Sequence, residues 1–121
     1  MKWKHFDKSE FFCKCGRKHD QQLVSDRLVC MLDLAREKAG VPFVINSGYR
    51  CPEHNKEIGG VKNSAHTKGL AADILTGGSE RRYVIVKALI EVGFRRLGFG
   101  RGFVHADIDE TKPFPVIFLE E

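Results

Sequence analysis

Ser64-Ala65-His66-Thr67-Lys68-Gly69-Leu70-Ala71-Ala72-Asp73-Ile74-Leu75 places a histidine in a polar loop and, seven positions later, an aspartate inside an apolar run. Leu70 to Leu75 reads as a strand whose alanines permit close packing against its neighbours. A carboxylate in the middle of such a strand is costly to bury without a partner. A metal ion, an arginine or a cluster of backbone donors would each meet that need, and this stretch by itself leaves the choice open.

Further along, Phe103-Val104-His105-Ala106-Asp107-Ile108-Asp109 alternates as a strand. His105, Asp107 and Asp109 then point one way and Val104, Ala106 and Ile108 the other. A solvent-exposed polar face would explain His105 alone. Taken with His66 and Asp73, it completes a set of two histidines and one aspartate. Imidazole nitrogen and carboxylate oxygen both suit zinc, and three protein ligands leave a fourth position for water, as catalytic zinc sites do. Zinc lowers the pKa of such a water to about 7 and polarises a carbonyl beside it.

Around these two strands, the rest of the chain reads as short elements. Ser25 begins a helix with Leu28, Met31, Leu32 and Ala35 at helical spacing, ended by Gly40 and Pro42. Phe43-Val44-Ile45 is a short buried strand, and Ser47-Gly48-Tyr49-Arg50 leaves it in a turn. Pro52 suits the first turn of a helix reaching Ile58. Before all of these, Asp7 or Ser9 caps a short turn that lays Trp3, Phe6, Phe11 and Phe12 against the body. Later, Ser79 is expected to cap a second long helix with Val84, Ile85, Ala88, Leu89 and Val92 inward. Leu97-Gly98-Phe99 and Val116 to Leu119 are further strands. Helices and strands mix without a regular βαβ alternation. That predicts an α+β fold, a small mainly antiparallel sheet with helices packed on one side. The 121 residues carry no repeat, linker or low-complexity segment, so residues 1–121 read as one domain.

The net charge is +4, with lysines and arginines scattered along the chain. No recognition helix, aromatic-rich RNA-binding motif or long basic run accompanies them, so no nucleic-acid partner is expected. No apolar run approaches the roughly 20 residues that cross a bilayer, so no membrane insertion is expected. The start of the chain has no apolar stretch of the signal-peptide type. Four cysteines are present, Cys13, Cys15, Cys30 and Cys51. Cys13-Lys14-Cys15-Gly16, with His19 behind it, looks like half of a metal knuckle, but C-x-C without a clean second pair is not the usual structural zinc spacing. Ordinary thiols are the favoured reading, with Cys30 on the buried face of a helix. A bond from Cys51 to Cys13 or Cys15 stays open.

Four motifs in order, Ser47-Gly48-Tyr49-Arg50, His54-Asn55 with Gly59-Gly60, Ser64 to Asp73, and Val104-His105-Ala106-Asp107, carry a resemblance. From about Leu23 to Ile108 the chain resembles the zinc D-alanyl-D-alanine carboxypeptidase-like family of peptidoglycan peptidases. That family includes phage L-alanyl-D-glutamate endopeptidases and shares its fold with the hedgehog signalling domain. The resemblance implies a monomeric zinc metallopeptidase, of D,D-carboxypeptidase or L-alanyl-D-glutamate endopeptidase type. Zinc-activated water would hydrolyse peptidoglycan stem or cross-link peptides containing D-amino acids. The zinc ligands would be His66, Asp73 and His105. Arg50 would lie in the cleft, binding a substrate carboxylate or stabilising the oxyanion, both of which suit a guanidinium fork. Ser64 would contact substrate near the metal or hold the loop. Such an enzyme, from a phage or a bacterium, would be made in the cytoplasm and reach the cell wall after release or export, as an endolysin does.

One departure stands out. Many members of that family place a carboxylate three residues before the last histidine ligand, where this chain has Gly102. Asp107 is the nearest substitute, either as the general base or as a partner that orients His105. Gly102 also keeps a second reading in play, a non-catalytic zinc-containing module that binds cell wall or serves a phage structure.

Overall fold

The computed structural model describes residues 3–17, 19 and 21–120. A 3₁₀ turn, Lys8–Phe11, comes first, and of the two expected caps Asp7 holds it. The Asp7 carboxylate accepts from the Ser9 N–H, and Glu10 accepts from the Asp7 N–H. This turn delivers Phe11, fully buried, edge-on to Phe6 with ring centroids 5.3 Å apart. Helix α1 (Asp26–Ala39) starts where Ser25 accepts from the Leu28 N–H and stops at left-handed Gly40. Strand β1 (Val44–Ser47) and the short helix α2 (Pro52–Glu57) follow. A second 3₁₀ turn, Ala65–Lys68, leads into β2 (Ala71–Leu75). Helix α3 (Ser79–Glu91) departs from expectation at its start. Ser79 is its first helical residue and Gly78 is the cap, with no side-chain bond, because the Gly77-Gly78 pair makes the entry turn. Strands β3 (Arg96–Gly100), β4 (Phe103–Asp107) and β5 (Val116–Leu119) complete the chain.

The strands form one sheet in the order β1-β2-β4-β3-β5. The β1-β2, β2-β4 and β3-β4 pairs are antiparallel, and β3-β5 is parallel. This is the α+β class expected from the sequence. Alternation along the two central strands then decides the layers. Ala72 and Ile74 of β2, Val104 and Ala106 of β4 and Leu97 of β3 join the core with Leu28, Leu32, Ile85 and Leu89 of the two long helices. The opposite face receives Asp73, His105 and Asp107. In the antiparallel register Asp73 lies directly across from His105, Ser47 across from Asp73, and Arg96 across from Asp107. Five polar side chains, Ser47, Asp73, Arg96, His105 and Asp107, are thus brought together on neighbouring strands by pairing.

Just past β4, Asp109 is buried and accepts from the Lys68 ammonium at 2.9 Å and the Thr111 hydroxyl at 2.6 Å. Burial pushes its carboxyl up, but the Thr111 and Lys68 bonds outweigh that and hold it down at about 2. A carboxyl depressed in the fold stabilises it above the unfolded pKa, near 4, and loses that contribution as pH falls through the folded value. A shift of this size is worth about 2 kcal/mol. Urea unfolding should therefore show Asp109→Asn less stable than wild type near neutral pH, with the gap closing near pH 2. An equal gap at both pH values would assign Asp109 no such role.

Candidate metal centre

His66 sits in the second 3₁₀ turn, which Ser64 caps by accepting the His66 N–H at 3.1 Å. The buried Ser64 hydroxyl thus bonds the backbone of the turn that carries the histidine. The imidazole is set from the other side by the chain leaving β1, where its Nδ1–H donates to the Gly48 carbonyl at 2.7 Å. Only glycine fits at 48, since a Cβ there would lie 2.6 Å from the Phe11 carbonyl oxygen. With the proton on Nδ1, the lone pair is on Nε2. That atom is buried, makes no hydrogen bond, and lies 3.2 Å from Asp73 Oδ1. A buried polar atom without a partner calls for an explanation, and a cation accepting its lone pair is one.

His105 comes to the same oxygen from the neighbouring strand. Its Nδ1 is 3.0 Å from Asp73 Oδ1, and its Nε2 is 2.7 Å from Asp107 Oδ2. One ligand atom from each of His66, Asp73 and His105 lies within 4.8 Å of the others. The three residues are only 2 %, 7 % and 6 % exposed. A solvent-exposed polar face is therefore not what β4 presents. The strand is central, and its polar side is covered as well as its apolar side. Burial alone would raise the Asp73 pKa, but the two imidazoles outweigh it and lower it. Burial alone would lower that of His105, but the carboxylates of Asp107 and Asp73 on its two nitrogens push it up to about 9. Two carboxylates enclosed with two imidazoles favour a positive charge among them. A divalent ion held by the trio would supply it, and the two-histidine, one-carboxylate donor set fits zinc.

Asp107 stands on the far side of the His105 ring from Asp73. Its Oδ2 faces His105 Nε2, while its Oδ1 accepts from Arg96 Nε at 2.8 Å and from the Asp109 N–H at 3.0 Å. Both oxygens are engaged, and the residue is 1 % exposed. Arg50 reaches the trio from the turn after β1. It donates from Nε to Ser47 Oγ at 3.2 Å and from Nη1 to Asn55 Oδ1 at 2.8 Å. Its Nη2 lies 3.7 Å from Asp73 Oδ2. Burial draws its pKa down, against the pull of Asp73 and Glu120.

Glu120 was not singled out by the sequence. Its backbone continues β5, donating to the Phe99 carbonyl at 2.9 Å, and its Oε1 lies 3.7 Å from His105 Nδ1. The available signal was weak: two-residue alternation puts Phe118 and Glu120 on one face, and the Phe118 ring does approach that of His105, at 5.6 Å. Gly102 is the left-handed residue of the turn between β3 and β4, at φ 79.

All four cysteines are free thiols, as expected, but three of them lie together. Cys13, Cys15 and Cys51 gather with His19, their ligand atoms all within 4.8 Å of one another. No sulfur bond joins them, and Cys30 stands elsewhere, part-buried, with its Sγ 3.1 Å from Trp3 Nε1.

Among the described residues no helix is long and apolar enough to cross a membrane. No curated protein matches the chain. The sequence pattern of the Peptidase M15 family does match it, over residues 4–108, a span that holds the trio, Arg50 and Asp107. The chain belongs to the Peptidase M15 family.

Proposed function

We propose that this chain is a zinc metallopeptidase that hydrolyses peptidoglycan stem or cross-link peptides containing D-amino acids. The observation that carries this reading is the buried trio in which His66 Nε2 has no hydrogen-bond partner. A zinc ion held by His66 Nε2, His105 Nδ1 and Asp73 would polarise the scissile carbonyl and acidify a water.

The surrounding residues take roles that follow from their contacts. Of the two roles open to Asp107, the geometry supports the orienting one. Held by Arg96, Asp107 keeps the His105 proton on Nε2 and so leaves Nδ1 free to ligate. Ser64 serves by capping the turn that positions His66. Glu120 takes up the proton of the attacking water, since its oxygen stands beside the trio and its side chain is 37 % exposed. Arg50 Nη2 faces the trio while Nε and Nη1 are tied back, so the guanidinium is held ready for a substrate oxygen. A groove lined by Asn55, Lys56, Lys62, Asn63 and Thr67 opens next to Arg50 and the His66 turn. Its two lysines complement the carboxylates of wall stem peptides.

Arg50→Lys should lower kcat/KM by roughly 10- to 100-fold, because an ammonium keeps the charge near Asp73 and loses the fork. Its melting temperature should stay close to wild type, and peptide kinetics beside a thermal melt check both. The reading itself is tested on a synthetic stem pentapeptide with zinc supplied. Free D-alanine marks a carboxypeptidase and a new D-glutamyl amine an endopeptidase. Neither product, on that peptide or on cross-linked wall, would count against hydrolysis.

A further inference from the structure

We propose that Cys13, Cys15, His19 and Cys51 form a second metal site, a closed zinc knuckle that fastens the amino-terminal segment to the turn carrying Arg50. It rests on side chains separate from the trio and does not depend on the peptidase reading.

The donor set is the first argument. Three thiols and one imidazole, each offering an atom within 4.8 Å of the others, make a Cys₃His group. Four protein ligands close a tetrahedral zinc site and leave no open position, which marks structural sites. The Cys15 and Cys51 sulfurs are 3.8 Å apart. Thiolates about 2.3 Å from a shared zinc are separated by roughly 3.8 Å, whereas disulfide sulfurs are about 2.05 Å apart. His19 Nε2 lies 3.0 Å from Cys15 Sγ.

The second argument is what the backbone does around the sulfurs. Each of the three accepts one main-chain N–H: Cys13 from Cys51 at 3.3 Å, Cys15 from Arg17 at 3.4 Å and Cys51 from His54 at 3.4 Å. Such bonds support charge on a thiolate and fix its direction, as the outer partners of metal ligands commonly do. Gly16 makes one of them possible. At φ 78 it turns the chain just after Cys15 and brings the Arg17 N–H back onto that sulfur. Cys51 is the cap of α2, which explains why its sulfur meets the His54 N–H.

The site has a purpose within the fold. Tyr49 N–H donates to the Phe11 carbonyl at 2.8 Å, and Gly48 packs on the Phe11 backbone. Cys13 lies just beyond Phe11, and Cys51 directly follows Arg50. A metal joining 13, 15 and 19 to 51 therefore locks together the two segments that set the Gly48 carbonyl on His66 and aim Arg50 at Asp73. Outside the cluster, Arg17 pairs with Glu57 of α2 at 2.5 Å and extends the same clasp.

Cobalt substitution tests this on the full chain purified under reducing conditions. Thiolates bound to cobalt(II) give intense near-ultraviolet charge-transfer absorption, which the trio, having no sulfur, cannot produce. Wild type and Cys30→Ser should both show the band, and zinc analysis should find two ions per chain. His66→Ala should keep the band while its zinc falls to one per chain, and Cys15→Ser should lose most of the band. The wild-type spectrum decides the matter even where Cys15→Ser fails to fold. A cobalt-loaded wild type without the band, or a Cys15–Cys51 disulfide persisting in the reduced protein, would overturn the proposal.

Discussion

Glu120→Gln is expected to bind zinc as wild type does and to lose turnover by roughly 10²- to 10⁴-fold, the usual contribution of a positioned general base. The amide keeps the shape of the side chain and its approach to His105, and removes only its capacity to accept a proton. Glu120 has the position for that task because its Oε1 is 3.7 Å from His105 Nδ1 while the side chain stays partly open to solvent. Asp107 is built differently: it is enclosed, and His105, Arg96 and the Asp109 N–H occupy its two oxygens. Asp107→Asn should accordingly weaken zinc by about 10- to 100-fold, the usual cost of losing a ligand's outer partner, and excess metal should restore much of the activity. Near-normal turnover in Glu120→Gln, together with a metal-replete and inactive Asp107→Asn, would exchange the two roles.

The second large effect is expected at His66. His66→Ala removes the nitrogen that lacks a hydrogen-bond partner, together with one of the imidazoles that hold the Asp73 carboxyl low. Zinc affinity at the trio should fall by more than the 10- to 100-fold typical of an outer partner, and peptide hydrolysis should drop below detection. The fold should persist, because the core of α1, α3 and the sheet lies on the other face of β2 and β4. Circular dichroism beside metal analysis checks both parts. Zinc content and turnover unchanged in this variant would remove the trio from the mechanism.

Much of this arrangement could be read in the chain, because it depends on local periodicity. Val104 and Ala106 against His105 and Asp107 sorted the two faces of β4 before any partner strand was known. Ser25 and Gly40 marked both ends of α1. The entry to α3 was misplaced by a residue, because Ser79 is a good cap by type but the Gly77-Gly78 turn already brings the chain into the helix. What stayed hidden depends on contacts between distant segments. Cys13 and Cys51 meet across 38 positions, so a search for paired spacing sees only half of the cluster. Glu120 lies beyond the recognised motifs and past the end of the family match at residue 108. It enters through the parallel pairing of β5 with β3. The side of His105 that Asp107 occupies is set by the ring's rotation, which strand alternation does not specify.

The most direct measurement is peptidoglycan digestion by protein stripped of metal and then given zinc. The stripped protein should leave purified wall intact. Zinc should restore release of soluble peptide fragments or free D-alanine in wild type and Cys30→Ser, and should fail to do so in His66→Ala. Wild type with zinc bound at His66, Asp73 and His105 that binds the wall and releases nothing would contradict a peptidase and favour the wall-binding module.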